Sequence, residues 1–177
     1  MVQRLVTCIG SRDLPEDKGI IIDKICKFLV NNNCKMRSGG AGGTDRRFQS
    51  NFEILGGYKE IYLPWNGFGE LYVDNKDFFL VKSDICRSYT LKYHPNPNAL
   101  SKYALLLMDR NAHQVLGLNL DLPSDFIVAY TENAAIKGGT AQALRMAKDL
   151  NIPVVNVGHN LPYEAFEEQI NTILNLE

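Results

Sequence analysis

The sequence has no surplus of either charge: nineteen Lys and Arg stand against twenty Asp and Glu, for a formal net charge of −1. A surface built to hold nucleic acid by neutralising phosphates carries a basic excess, so a polynucleotide partner is not expected. No run of about 18 apolar residues occurs, which excludes a membrane-spanning helix. Met1–Val6 enters a strand-like segment without the apolar stretch of a signal peptide. Cys8, Cys26, Cys34 and Cys86 lack the C-x-x-C or Cys/His spacing of metal and redox motifs. Cys8 and Cys34 sit in apolar contexts, where a free thiol behaves as a small hydrophobe. His94, His113 and His159 are scattered, with no ligand spacing. Reduced thiols, no disulfide, no metal, no cofactor and a cytoplasmic location are expected.

Repeats, low-complexity tracts and inter-domain linkers are also missing. The P-loop pattern G-x-x-x-x-G-K-[ST] and a Ser-His-Asp order are absent, which argues against a P-loop NTPase and against acyl transfer. What remains is a 177-residue chain, 45% hydrophobic and 22% charged, able to bury one core.

Short apolar runs alternate with helical periodicity along the chain. Strands are predicted at Leu5–Gly10, Cys34–Arg37, Lys59–Leu63, Asp125–Tyr130 and Val154–Val157. Helices are predicted at Asp17–Asn31, Asp45–Leu55, Ala141–Leu150 and Tyr163–Leu174, and one or two more over Ala99–Leu118, with Leu105, Leu106, Met108 and Val115 as core. On the helix Ala141–Leu150, Leu144, Ala147 and Leu150 share a face. From Trp65 to Pro97 the pattern weakens into aromatics, charges and turn residues. Strands that are apolar throughout belong to parallel sheets covered on both faces. The expectation is one α/β domain over 1–177, Rossmann-like and doubly wound, with an irregular or helical insertion at about 65–120.

Three glycine turns follow predicted strands: Gly10-Ser11-Arg12, Ser38-Gly39-Gly40-Ala41-Gly42-Gly43-Thr44-Asp45, and Gly138-Gly139-Thr140. In an open α/β sheet ligands collect at the strand C-terminal ends. Glycine there admits a phosphate close to backbone N–H groups, and a helix N-terminus adds its positive dipole end. One such turn is also explained by sterics alone; three at one sheet edge point to a nucleotide-like ligand. None has the G-x-G-x-x-G spacing of the dinucleotide fingerprint.

With Arg37 before the second turn and Lys137 and Ala141-Gln142-Ala143 around the third, this ordered set resembles the SLOG superfamily. That Rossmann-like group includes the Lonely Guy cytokinin-activating hydrolases and the DNA-processing protein A recombination mediators. The Ser-Gly-Gly-Ala-x-Gly-x-Asp form is most similar to the second branch and to small stand-alone relatives, phage-encoded ones among them. The resemblance covers roughly residues 5–57 and 125–158. It implies a nucleotide-derived ligand with Gly39, Gly40, Gly138, Gly139 and Thr140 near its phosphates. The Lonely Guy motif Pro-Gly-Gly-x-Gly-Thr-x-x-Glu departs from this chain: the second spaced glycine is missing and Ala143 stands in the glutamate's place. Hydrolysis is therefore disfavoured.

Other candidates stand near these turns. Asp45 begins a helix, as a cap or as an acceptor for a ribose hydroxyl or base. Arg46 and Arg47 follow it, as phosphate contacts or solvated charges. Trp65 and Asn66 follow the third strand, where the indole offers a face for stacking or a core contact. Arg110 and Asn111 interrupt an apolar helix; they suit phosphate, carboxylate or a base edge, or make a surface arrangement with Asp109. Thr131 and Glu132 precede the third glycine turn, and Glu132 is the nearest carboxylate for acid–base chemistry.

The sequence-based expectation is a protein that binds, and senses or sequesters, a small nucleotide-derived ligand of the ADP-ribose or cyclic-nucleotide kind. The alternatives are a nucleotide N-glycosidic-bond hydrolase using Glu132 or Asp45, and a single-stranded-DNA-binding module. Self-association into a homo-oligomer is also expected.

Overall fold

The strands among the described residues are short, and each pairs with its neighbour in parallel. The computed structural model describes residues 3–74 and 76–175. The strands are β1 (Arg4–Gly10), β2 (Cys34–Ser38), β3 (Lys59–Leu63), β4 (Phe78–Leu80), β5 (Phe126–Tyr130) and β6 (Val154–Asn156). They form one six-stranded sheet in the order β4-β3-β2-β1-β5-β6, parallel throughout. The chain builds outward from β1 to β4, then returns to lay β5 on the other side of β1. The helices are α1 (Glu16–Asn31), α2 (Thr44–Ile54), α3 (Ser83–Tyr93), α4 (Lys102–Leu116), α5 (Ala141–Asp149) and α6 (Tyr163–Leu174). This is the doubly wound, Rossmann-like fold expected from the apolar strands.

Alternation along β5 shows how both faces are covered. Phe126, Val128 and Tyr130 join the core under α1, α2 and α6, with Ile22, Phe48 and Phe166. Ile127 and Ala129 point the other way and join Val115, Ala143 and Met146 under α3, α4 and α5. A strand apolar on both faces cannot remain exposed on either.

Three local expectations are corrected. Residues 65–97 are not simply irregular, since they supply the edge strand β4 and the helix α3. Leu105, Leu106 and Met108 are half-buried, and the fully buried face of α4 runs from Asp109 to Leu116. Leu150 caps α5 and is 40% exposed, unlike Leu144 and Ala147. The four cysteines are free and buried. No helix among the described residues is long and apolar enough to cross a membrane.

Candidate functional site

The reversal of strand order between β1 and β5 opens a crevice at their C-terminal ends, where ligands bind in open α/β sheets. A cleft of about 1010 Å³ lies there. Its walls come from four stretches of chain: 9–15 after β1, Ala41 and Asp45 at the start of α2, one face of α4, and 130–140 between β5 and α5.

The first wall is held by close backbone contacts. The Ser11 N–H donates to the Tyr130 carbonyl at 2.9 Å, and the Ser11 carbonyl accepts from the Thr44 N–H (3.0 Å) and hydroxyl (2.7 Å). A Cβ at Gly10 would lie 2.5 Å from the Tyr130 carbonyl oxygen, so only glycine allows this crossing. Asp45, 3% exposed, accepts from the N–H groups of Gly10 (3.1 Å) and Ala41 (3.4 Å). Burial raises its carboxyl above the ordinary range, and the Arg110 cation opposes that rise. Asp45 thus ties two of the glycine turns together.

The α4 wall presents Leu107, Arg110, Asn111 and Gln114, three and four residues apart and so on one helical face. Arg110 is 7% exposed and donates from one terminal nitrogen to the Gly39 carbonyl at 2.7 Å; its Nε has no partner. Burial lowers its pKa and Asp45 raises it, yet a guanidinium stays charged. Gln114, 1% exposed, leaves Oε1 without a partner. Asn111 donates to the Gly139 carbonyl at 2.8 Å, fastening the third glycine turn to α4.

The fourth wall is anchored at Thr131, whose N–H and hydroxyl bond the Asn156 side chain (3.3 and 2.9 Å). It ends at the N-terminus of α5, which has no capping side chain and no acidic residue in its first turn. The positive dipole end of such a terminus favours an anion. Glu132 is 65% exposed and paired to Lys137 at 2.5 Å.

Of the residues singled out from the sequence, Gly10, Ser11, Arg12, Ala41, Asp45, Arg110, Asn111, Thr131, Glu132, Gly138, Gly139 and Thr140 line the cleft. Ser38, Gly39, Gly40, Trp65 and Asn66 do not. The Ser38 hydroxyl donates to the Cys8 carbonyl, and a side chain at Gly39 or Gly40 would collide with Arg110 or Leu71. Trp65 packs edge-on against Phe68 and Tyr103 at 5.1 and 5.6 Å, and Asn66 accepts from the Val73 N–H. The surface pairing of Arg110 with Asp109 is absent: Asp109 is fully buried and held by Arg87 and Thr90. Arg46 donates to the Gly69 carbonyl and Arg47 pairs with Asp23 and Glu16. Leu107, Gln114 and Lys137 line the cleft but escaped sequence reading. For the first two, the spacing to Arg110 was the available signal. Among the described residues no group of His, Cys, Asp or Glu converges to hold a metal.

No family model matches the chain, and no curated protein does. Solved structures do. The chain is similar to the molybdenum-cofactor carrier protein of Chlamydomonas reinhardtii, with a TM-score of 0.59 and 14% identity over 98% of this chain and 99% of that one. It is similar to DNA processing protein A of Helicobacter pylori, whose structure addresses single-stranded DNA binding (TM-score 0.55, 16% identity, 98% and 80% covered). The Streptococcus pneumoniae DNA processing protein A matches likewise (0.55, 16%, 96% and 56%). At these identities the likeness establishes a shared fold.

Proposed function

We propose that this chain binds a small, phosphate-bearing, nucleotide-derived molecule in the β1–β5 cleft and holds it intact. The observation that carries the reading is the pairing of two anion-seeking features across one cavity. The uncapped N-terminus of α5, behind Gly138–Thr140, stands on one side. The Arg110 guanidinium, buried with a free Nε, stands on the other. A volume of about 1010 Å³ accommodates a ligand as large as ADP-ribose or a cyclic dinucleotide. The ordered glycine turns of the SLOG resemblance and the likeness to a cofactor carrier both support holding over conversion.

The carboxylates named for hydrolysis favour the same side. Asp45 is occupied by two backbone N–H groups, and Glu132 sits in water against Lys137. The homo-oligomer belongs to the proposal too, and Ile54 (83% exposed) and Tyr58 (64%) are exposed apolar side chains in and after the end of α2.

The test is incubation with AMP, ADP-ribose, cyclic ADP-ribose isomers, cyclic dinucleotides and molybdenum cofactor. Native mass spectrometry reads binding, and chromatography after denaturation reads what is released. An intact ligand is expected; free base plus sugar phosphate would replace this reading with a hydrolase. Gly139→Asp supplies the control. A Cβ there meets only Met108, at 3.5 Å, so the variant folds, and its charge weakens binding at least tenfold, about 1.4 kcal/mol.

A further inference from the structure

Glu132 and Lys137 bracket the turn between β5 and α5, and both line the cleft. Their side chains meet at 2.5 Å while staying 65% and 59% exposed. The contact holds the Glu132 carboxyl below its ordinary range, but an ion pair this open to water is worth a few-fold at most in an equilibrium. It is cheap to exchange.

The backbone beneath it is not. Thr131 is fixed by Asn156 and Gly139 by Asn111. The Ala134 N–H closes on the Thr131 carbonyl at 2.9 Å and the Lys137 N–H on the Ala135 carbonyl at 3.1 Å. Lys137 therefore leaves a rigid turn, immediately before the three residues that open α5, on a side chain long enough to reach either Glu132 or the cleft. Arg110, nine-tenths buried with an unpartnered Nε, faces the same cavity, so the anion-binding character does not rest on the helix terminus alone.

We infer that Lys137 is a phosphate-binding residue of this cleft and that Glu132 is its resting counter-ion, displaced when phosphate arrives. The inference rests on the proposed phosphate-ligand reading of the cleft. A phosphate offers more charge and more acceptor oxygens than a carboxylate, and the α5 N–H groups add to its hold. Glu132 then sets affinity from outside the bound state, as a competitor for the ammonium.

The experiment follows the amide resonances of Gly138, Gly139 and Thr140 in the full chain during titration with inorganic pyrophosphate. Wild type, Glu132→Gln, Lys137→Met and the double variant are compared; both positions are exposed, so all four fold. Glu132→Gln binds about two- to fivefold tighter, which is the release of a surface pair. Lys137→Met binds at least fivefold weaker, and in its background Glu132→Gln changes nothing. Unchanged or weaker binding by Glu132→Gln, with wild type still binding, overturns the counter-ion role and leaves the phosphate reading standing. If wild type itself shows no shift at these amides, the phosphate reading falls, and this inference with it.

Discussion

His113 shows how a residue scored as scattered acquires a fixed role. Its Nε2 accepts from the Lys82 N–H at 2.9 Å, so the proton resides on Nδ1 and is donated to the Gly117 carbonyl at 3.0 Å. The Cys86 sulfur lies 3.1 Å from the same Nε2 and the Tyr62 ring stacks at 5.3 Å. Burial lowers the imidazole pKa below its ordinary value, because the charged ring would lose its hydration, and the Lys82 cation adds to the lowering. The unfolded chain binds that proton more readily, so stability is full above about pH 6.5 and declines as pH falls below it, by up to about 1.4 kcal/mol per unit. Urea unfolding between pH 5 and 7.5 should show this decline in the wild type and not in His113→Gln; equal slopes would assign the pH dependence elsewhere. The sequence displayed the histidine but not its partners, which lie 31 and 27 residues away at Lys82 and Cys86. The glycine turns were legible for the opposite reason, since their chemistry is contained within a few consecutive residues.

At the scale of elements, α4 was the hardest to read and does the most to build the cleft. An amphipathic pattern presumes one wet face, but residues Asp109–Leu116 are buried all round. Three polar side chains in that stretch take partners from other parts of the chain: Asp109 from α3, Arg110 from the turn after β2, Asn111 from the turn before α5. Such a helix looks interrupted in sequence while being continuous in space. It follows that Asn111→Ala, which removes the bond to the Gly139 carbonyl, loosens the third glycine turn and leaves the sheet intact. Hydrogen exchange at residues 138–140 should speed up severalfold, while amides in β1 and β5 keep their protection; slowed or unchanged exchange would deny Asn111 its anchoring role. The misreading of 65–97 has a different cause. Phe78–Leu80 is a three-residue edge strand, and α3 buries only Cys86 and Thr90 of its own residues. Neither gives a periodic apolar signal long enough to stand out from turns. By contrast β5 is apolar on both faces and β1 nearly so, and strands of that kind point to the fold class.

Taken as a whole molecule, the protein places a near-neutral charge around a cavity whose walls come from four separate stretches of chain. That combination bears on whether the cleft takes a small anionic ligand, as proposed, or a polynucleotide. Arg47 is tied to Asp23 and Glu16, Lys59 to Glu53 and Asp77, and Lys92 to Asp149. Each of these cations already has a carboxylate partner within the protein. Binding of a ligand engaging one or two phosphates should weaken with salt at a log–log slope of about 1 to 2, against roughly 5 or more for a strand held by six or more phosphates. In the proposed reading the ligand touches all four walls of the folded cleft, so binding stabilises the fold. At a hundredfold excess over its dissociation constant the gain is about 2.7 kcal/mol. For a chain of this size that raises the melting temperature by roughly 5–10 °C. A thermal-shift series over ionic strength reads both quantities at once. A shift that collapses with a slope near 5 and requires oligonucleotide would make the cleft a passage for a polymer; one that survives moderate salt with a mononucleotide-sized ligand makes it a closed seat for a single molecule.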